Sequence, residues 1–378
     1  MRGCASKPLA QFDGPLTTRL PGWTFLDSAG DGKPVYLPFE GIHSNKGGRL
    51  QSPVLKLDKS RGANAYYELR FSAEAGGPSY WWVDFFDRER RPLPDCNSAI
   101  EPGAARDYVE LFVAPPQATS FQLAFVSAAG VQARDLTLRR IDAAAAAAWC
   151  DRVYAELPPL HFTAPADALR LLPRTAAALR DGHPFAVVML GDSIVNDLYT
   201  SGFEALLQRD YPASRFRFVI SVRGSTGCLF YRDPAQFEQY VARHRPDLLL
   251  VGGISNGHTP DARTALSAVI SQARAAGMEV LLTSPPHSRE WDTGTGAPPL
   301  TADTDPGGGI MRLRDLALQR ELAASQNVAF FDLTTPCVEY FGNARQPAGY
   351  FNRDAVHNND RGKQIIGRIL RAYFHAGT

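Results

Sequence analysis

Cysteine is scarce: Cys4, Cys96, Cys150, Cys228 and Cys337 are the only five in 378 residues, and no two stand in a C-x-x-C spacing. So few and so scattered, they supply neither a disulfide framework nor a structural zinc site. Excess charge of one sign is missing too, since 40 Lys and Arg against 39 Asp and Glu leave a formal charge of +1. No basic block is long enough to follow a phosphate backbone, which argues against nucleic acid as a partner. Long apolar runs are also absent. Nothing approaches the roughly 20 residues of a membrane helix, and the start, MRGCASKPLA, carries no apolar leader core. Membrane insertion is not expected. The compartment stays open: secreted or periplasmic if a leader was trimmed near Cys4, cytoplasmic otherwise.

What is present is ample core material, 44% hydrophobic residues with 10% aromatics, in a chain long enough for two or three domains. From Trp23 to Ile141 the apolar residues fall in short alternating runs: 54–57, 65–71, 80–86, 108–113, 121–126 and 136–141. Gly, Pro, Asp, Asn and Ser clusters separate them. A period of two without a sustained 3.6 period predicts an all-β sandwich over residues 1–145. Tyr80, Trp81 and Trp82 raise the question of sugar stacking, because flat aromatic faces cover the apolar faces of sugar rings. Neighbouring strand residues point to opposite faces, so at least one of the two tryptophans belongs to the core, and packing is the favoured role for both.

The alanine-rich stretch from Asp142 to Cys150 favours helix, the run Leu157 to Leu160 (LPPL) breaks it, and a further helix is expected at 166–180. Residues 146–183 thus read as a helical linker, followed by a second domain over 184–378. Strands are expected at 185–190, 216–222, 247–251, 279–283 and 328–333. Helices are expected near 198–209, 234–244, 261–276, 311–325 and 361–375. Five βα units with apolar strands predict a parallel sheet between helix layers, and the right-handed crossover rule makes it a three-layer αβα, flavodoxin-like sheet.

The chemistry-bearing residues cluster at the ends of these strands. Ser193 follows the first strand in PFAVVMLGDSIVNDLY, residues 184–199. The second strand runs into Arg223-Gly224-Ser225-Thr226-Gly227, and the third into Gly252-Gly253-Ile254-Ser255-Asn256. Asp354 and His357 stand on the last loop before the final helix. The carboxyl ends of the strands are where a doubly wound sheet binds its ligands. A serine hydroxyl is a poor nucleophile near neutral pH unless a positioned base takes its proton, and a histidine with a pKa of ~6.5 is matched to that task. An Asp three residues before the His can fold back onto the ring nitrogen facing away from the serine.

Together the Gly191-Asp192-Ser193 block, the Gly224 block, the Gly253 to Asn256 block and the Asp354 to His357 block resemble those of the SGNH hydrolases, also called GDSL esterases, across residues 184–376. The resemblance implies that Ser193 is the nucleophile, His357 the general base and then acid, and Asp354 the carboxylate that orients the imidazole. It implies an oxyanion hole made of the backbone N–H groups of Ser193 and Gly224 and the Asn256 side chain. One block departs from the family pattern. Where Gly-x-Asn-Asp is expected, this chain has Gly253-Ile254-Ser255-Asn256, so the amide is displaced by one residue or Ser255 takes its place. Asn256 is favoured, since an amide donor reaches further than a hydroxyl that can rotate away. The strand order of the first domain resembles the jelly-roll sandwiches attached to polysaccharide-acting enzymes.

Other residues carry weaker expectations. Asp192 reads as a turn and helix cap, and Asn196 and Asp197 as first-turn helix residues favoured by the dipole. Arg223 is a candidate substrate contact or a structural salt-bridge partner. The long irregular segment 284–309 offers Trp291 as a candidate wall of the substrate cleft or as packing against the first domain. His258 reads as a surface residue, and His183, His244 and His287 lack metal-ligand spacing. No motif calls for a cofactor or a metal. The expectation is a serine esterase removing short acyl groups, acetyl first, from an acylated oligo- or polysaccharide. The competitors are a lipase or thioesterase on acyl chains, and a non-catalytic sugar-binding protein on the same fold. Oligomeric state is not written in the sequence.

Overall fold

The structure, a computed structural model, describes residues 10–11, 24–27, 35–36, 48–57, 65–256, 261–286, 313–346, 348–354 and 356–375. The chain divides into two compact units, Met1–Trp149 and Cys150–Thr378.

The first unit is built from antiparallel strands: β1 (Ala10–Gln11), β2 (Thr24–Asp27), β3 (Val35–Tyr36), β4 (Gly48–Gln51), β5 (Leu55–Lys56), β6 (Ala65–Ala75), β7 (Ser79–Phe86), β8 (Pro92–Ile100), β9 (Gly103–Ala114), β10 (Ser120–Ser127) and β11 (Val131–Ile141). They form one sheet in the order β1-β11-β6-β9 and another in the order β3-β2-β4-β10-β7-β8, with β5 also on β10. The two sheets share a core. Tyr67, Leu69 and Phe71 of β6 and Phe112 of β9 meet Trp81, Val83 and Phe85 of β7 and Phe121 and Phe125 of β10. Phe71 and Phe125 pack edge to face at 5.2 Å between ring centres. The alternation along β7 buries Trp81 fully and leaves Trp82 half-buried on the other face, where its side chain hydrogen-bonds Asp84. Strand β8 escapes the sequence pattern because PLPDCNSAI reads as turn residues. It is an edge strand, where a proline without an N–H is tolerated.

Helix α1 (Ala143–Ala155) spans the division between the units. Helix α2 is Pro173–Asp181, shorter than the expected 166–180. Pro173 explains the difference: it disfavours helix at the residue before it, and it sits comfortably at a first helical turn. The parallel sheet follows, with β12 (Pro184–Gly191), β13 (Arg215–Val222), β14 (Leu248–Val251), β15 (Glu279–Thr283) and β16 (Ala329–Phe331) in the order β13-β12-β14-β15-β16. Between them run α3 (Ser193–Tyr199), α4 (Phe203–Asp210), α5 (Cys228–Tyr231), α6 (Pro234–Tyr240), α7 (Ala262–Ala275) and α8 (Leu313–Gln326). Helices α9 (Thr334–Ala344) and α10 (Asp360–His375) follow the last strand.

Both faces of this sheet are covered. Val188, Leu190, Val219, Leu249 and Val251 share one core with residues of α5 to α8. On the other face Phe218 packs against Phe203 of α4 at 5.1 Å, and Phe331 against Tyr373 of α10 at 4.5 Å. Among the described residues no helix is long and apolar enough to cross a membrane. Strand order reverses between β12 and β14, and the carboxyl ends of strands at such a reversal are the general ligand position of these sheets.

Besides α2, other helices differ from expectation, among them the short α5, which has no expected counterpart. The single helix expected near 198–209 is two: α3 starts at Ser193, and Gly202, with φ +77°, breaks the chain before α4. Helix α9 has no counterpart among the expected helices, and its Pro336 lies in the first turn, where no intrahelical N–H is needed.

Candidate active site

The site is assembled where β12 and β14 end side by side. A Cβ on Gly191 would lie 2.5 Å from the Gly252 carbonyl oxygen and 2.6 Å from Val195 Cγ2, so only glycine permits this approach. Asp192 is 1% exposed. Its Oδ1 caps α3 by accepting the Ile194 N–H at 3.0 Å, and its Oδ2 accepts the Ser255 N–H at 2.7 Å. Burial pushes the Asp192 carboxyl above the usual carboxylate range, against the opposing hydrogen bonds from Ser255 and Ile194. Gly253 has φ +97°, and a Cβ there would fall 2.5 Å from Asp192 Oδ1. The expected capping role of Asp192 thus extends to holding the third glycine block.

Ser193 is the first residue of α3 and is half-buried among buried neighbours. Its Oγ lies 2.8 Å from His357 Nε2. The other ring nitrogen, Nδ1, lies 2.9 Å from both carboxylate oxygens of Asp354. A carboxylate only accepts, so Nδ1 carries the proton and Nε2 is left as the acceptor facing the serine hydroxyl. Asp354 Oδ1 also accepts the backbone N–H groups of Val356 at 2.8 Å and His357 at 2.9 Å. Partial burial works to raise the Asp354 pKa, but the bond to His357, its charge and the two N–H groups outweigh it and hold the carboxyl well below the usual range. The structure therefore brings together the three residues that the sequence singled out.

The other expected residues lie around them. Gly224 is on the exposed turn after β13, with nothing within 4 Å of an added Cβ. The Arg223 N–H bonds the Gly191 oxygen at 3.1 Å, which ties that turn to the end of β12. The Asn256 side chain is buried: its oxygen accepts the Cys228 N–H at 2.8 Å, and its Nδ2 donates to Gly252 O at 2.7 Å. One hydrogen of that amide is left over. Ser255 spends both its N–H and its side chain on Asp192. Among the described residues no salt bridge to Arg223 is found. Its guanidinium stacks over the Phe230 ring, 4.7 Å from the centre. Trp291, His258 and His287 lie outside the described residues.

Sequence reasoning missed one arrangement. Asp197, expected as a plain first-turn residue, is buried at 2% side-chain exposure and paired with Arg353 at 2.8 Å, itself 5% exposed. Asp197 Oδ2 accepts the Asn358 N–H at 2.9 Å. Arg353 also donates to the Asn358 carbonyl at 3.1 Å through its guanidinium, and to the His357 carbonyl at 3.0 Å through its backbone N–H. Its Nε lies 3.7 Å from Asp354 Oδ2. No motif spacing signals a pair 156 residues apart.

Of the other titratable groups, Tyr231 touches the site, its hydroxyl donating to the Gly191 carbonyl at 2.8 Å, and Cys228 does so through its backbone N–H on Asn256. His244 is pushed down to about 4, by burial first and by Arg243 and Arg217 next, and its Nε2 accepts from Arg243 Nε at 3.3 Å. Cys150 and Cys228 are buried thiols, and burial raises Cys150 to about 12, which removes it as a nucleophile near neutral pH. Among the described residues no group of three or more His, Cys, Asp or Glu is arranged to hold a metal ion.

No family model and no curated protein matches this sequence. Among solved structures it is similar to a two-domain esterase active on acetylated mannans, with 15% identity, 55% of this chain and 53% of that chain covered, and a TM-score of 0.44. It is similar to a catalytic mutant of an acetylxylan esterase from Geobacillus stearothermophilus, with 16% identity, 50% and 94% coverage and a TM-score of 0.40. A Bacillus subtilis protein is similar over 92% of this chain and 86% of its own, with 15% identity and a TM-score of 0.39. The chain spans about half the length, 53%, of the mannan esterase it matches.

Proposed function

We propose that this chain is a serine esterase that removes short acyl groups, acetyl first, from a carbohydrate. The observation that carries the reading is the Asp354–His357–Ser193 hydrogen-bonded chain, with contacts of 2.9 and 2.8 Å at the carboxyl end of a parallel sheet. Ser193 Oγ attacks the acyl carbonyl while His357 Nε2 takes its proton. The imidazolium is stabilised by Asp354, which stays ionised because its pKa is held low. His357 then gives the proton to the departing sugar oxygen and leaves an acyl group on Ser193. Water repeats the sequence in reverse and frees the acid. The tetrahedral oxyanion is met by the backbone N–H of Ser193 at the start of α3, by that of Gly224, and by the remaining amide hydrogen of Asn256.

The finer fold assignment belongs to the same proposal. The order β13-β12-β14-β15-β16 corresponds to 2-1-3-4-5, which supports a flavodoxin-like αβα domain of SGNH type. In the first unit β6, β9 and β11 lie in one sheet and β7, β8 and β10 in the other, a two-sheet interleaving that supports a jelly roll. The glycine-rich turns after β13 and β14 favour a polar leaving group over a long acyl chain, and the exposure of Arg223 next to Gly224 supports reading it as a contact for that group.

The test is hydrolysis of short against long p-nitrophenyl esters, followed by acetate release from acetylated polysaccharides. Ser193→Ala is expected to lower kcat by at least about 10³-fold. An equally active Ser193→Ala variant, or no turnover of any ester, overturns the reading.

A further inference from the structure

Helix α3 and the turn before α10 are far apart in sequence, yet they carry the two halves of the proposed proton relay, Ser193 and the Asp354–His357 pair. Van der Waals contact alone does not fix a hydrogen bond of 2.8 Å between two such elements. We propose that Arg353 is a positioning residue of this relay, clamping the Asp354–His357 turn onto the nucleophile helix through its buried ion pair with Asp197. The inference rests on the esterase reading for its consequence and on geometry for its existence.

Three features support the clamp. The turn is closed on itself by the antiparallel bridge between Asn352 and Asn358, by the Arg353 N–H on the His357 carbonyl at 3.0 Å, and by Asn358 Nδ2 on Asn352 Oδ1 at 2.9 Å. That closed turn is then held at both ends of one carboxylate. Asp197 Oδ1 takes the Arg353 guanidinium at 2.8 Å, and Asp197 Oδ2 takes the Asn358 N–H at 2.9 Å. Asp197 stands one turn along α3 from Ser193, so the anchor and the nucleophile share one short rigid element. Third, the Arg353 Nε, 3.7 Å from Asp354 Oδ2, faces the carboxylate that orients His357. A surface pair of this kind would be worth little, but at 5% and 2% exposure water does not compete for it.

The test uses the full chain with Arg353→Met and Arg353→Lys, each first checked for folding by circular dichroism and thermal melting. Two readouts follow: the downfield proton resonance of the His357 Nδ1–H held by Asp354, and kcat and KM on a short p-nitrophenyl ester. The clamp predicts that Arg353→Met loses or broadens the resonance and drops kcat by about 10- to 100-fold with KM within about twofold, since small misplacements of a reacting group cost this much. Arg353→Lys, which keeps the charge and one contact, recovers part of both. Should Arg353→Met not fold, Asp197→Asn combined with Arg353→Met removes both charges together and is read in the same way. A folded variant with the parental resonance and parental kcat overturns the clamp while the esterase reading stands. If the parent hydrolyses no ester, the esterase reading falls, and the resonance alone still decides the clamp.

Discussion

Asp354 holds three donors at once, the His357 Nδ1–H and the backbone N–H groups of Val356 and His357. All three favour the ionised carboxyl, which holds its pKa below the ordinary aspartate value of 3.8 despite partial burial. Replacing it with Asn keeps the shape but presents an amide N–H to His357 Nδ1, which favours the tautomer with the proton on Nε2 and leaves no base facing the serine. Asp354→Asn is accordingly expected to lower kcat by roughly 10³- to 10⁴-fold with little change in KM, measured on a short p-nitrophenyl ester. Linkage gives a second consequence. Because the folded pKa lies below the unfolded one, the stabilisation from this group is complete above the unfolded value of 3.8 and is lost as pH falls below it. His244 acts in the adjoining interval, at slightly higher pH. Lowered from 6.5 to about 4, it is neutral in the fold where the unfolded chain would bind a proton, so it weakens the fold as pH drops from 6.5 towards 4. The melting temperature of His244→Gln is expected to fall less steeply than that of the parent across that interval. Parallel slopes would refute the assignment.

At the scale of elements, the short helix α3 depends on contacts that no local pattern records. The apolar spacing placed the helix start near Leu198, whereas Asp192 caps it at Ser193 because the same carboxylate is also anchored by Ser255 from the end of β14. Gly253 is what allows that approach. Gly253→Ala adds a methyl group at φ +97° and 2.5 Å from Asp192 Oδ1. Its expected effect is a loss of stability of at least about 1–2 kcal/mol by urea unfolding, together with loss of esterase activity as the α3 cap is displaced. A parental midpoint and activity would contradict the shared-carboxylate account. Pro173 and Pro336 teach the same lesson from two directions. Pro173 makes an expected helix start late and Pro336 sits inside α9, because in both cases the proline falls in a first turn.

For the whole molecule, each unit owns a core: aromatic-rich between two antiparallel sheets in the first, aliphatic between sheet and helices in the second. A chain beginning at Asp142 retains α1 and the entire second unit. It is expected to keep kcat/KM on p-nitrophenyl acetate within about threefold while acetate release from an acetylated polysaccharide falls roughly tenfold, as when one of two linked binding modules is removed. Equal retention on both substrates would remove the sandwich from substrate handling.

Five strands of the parallel sheet, the strands β5, β6, β7, β9, β10 and β11 of the first unit and the order of Ser193, Asp354 and His357 were legible in the amino-acid sequence. Each is encoded locally, as a period of two, an unbroken apolar run or a short block at a strand end. What only the tertiary structure decided is which distant groups meet: Asp192 with Ser255, Asn256 with Cys228 and Gly252, and Arg353 with Asp197. A buried polar group must find its partner wherever the packed chain brings one within about 3 Å, and that distance is set by sheet order and helix packing, not by spacing along the chain.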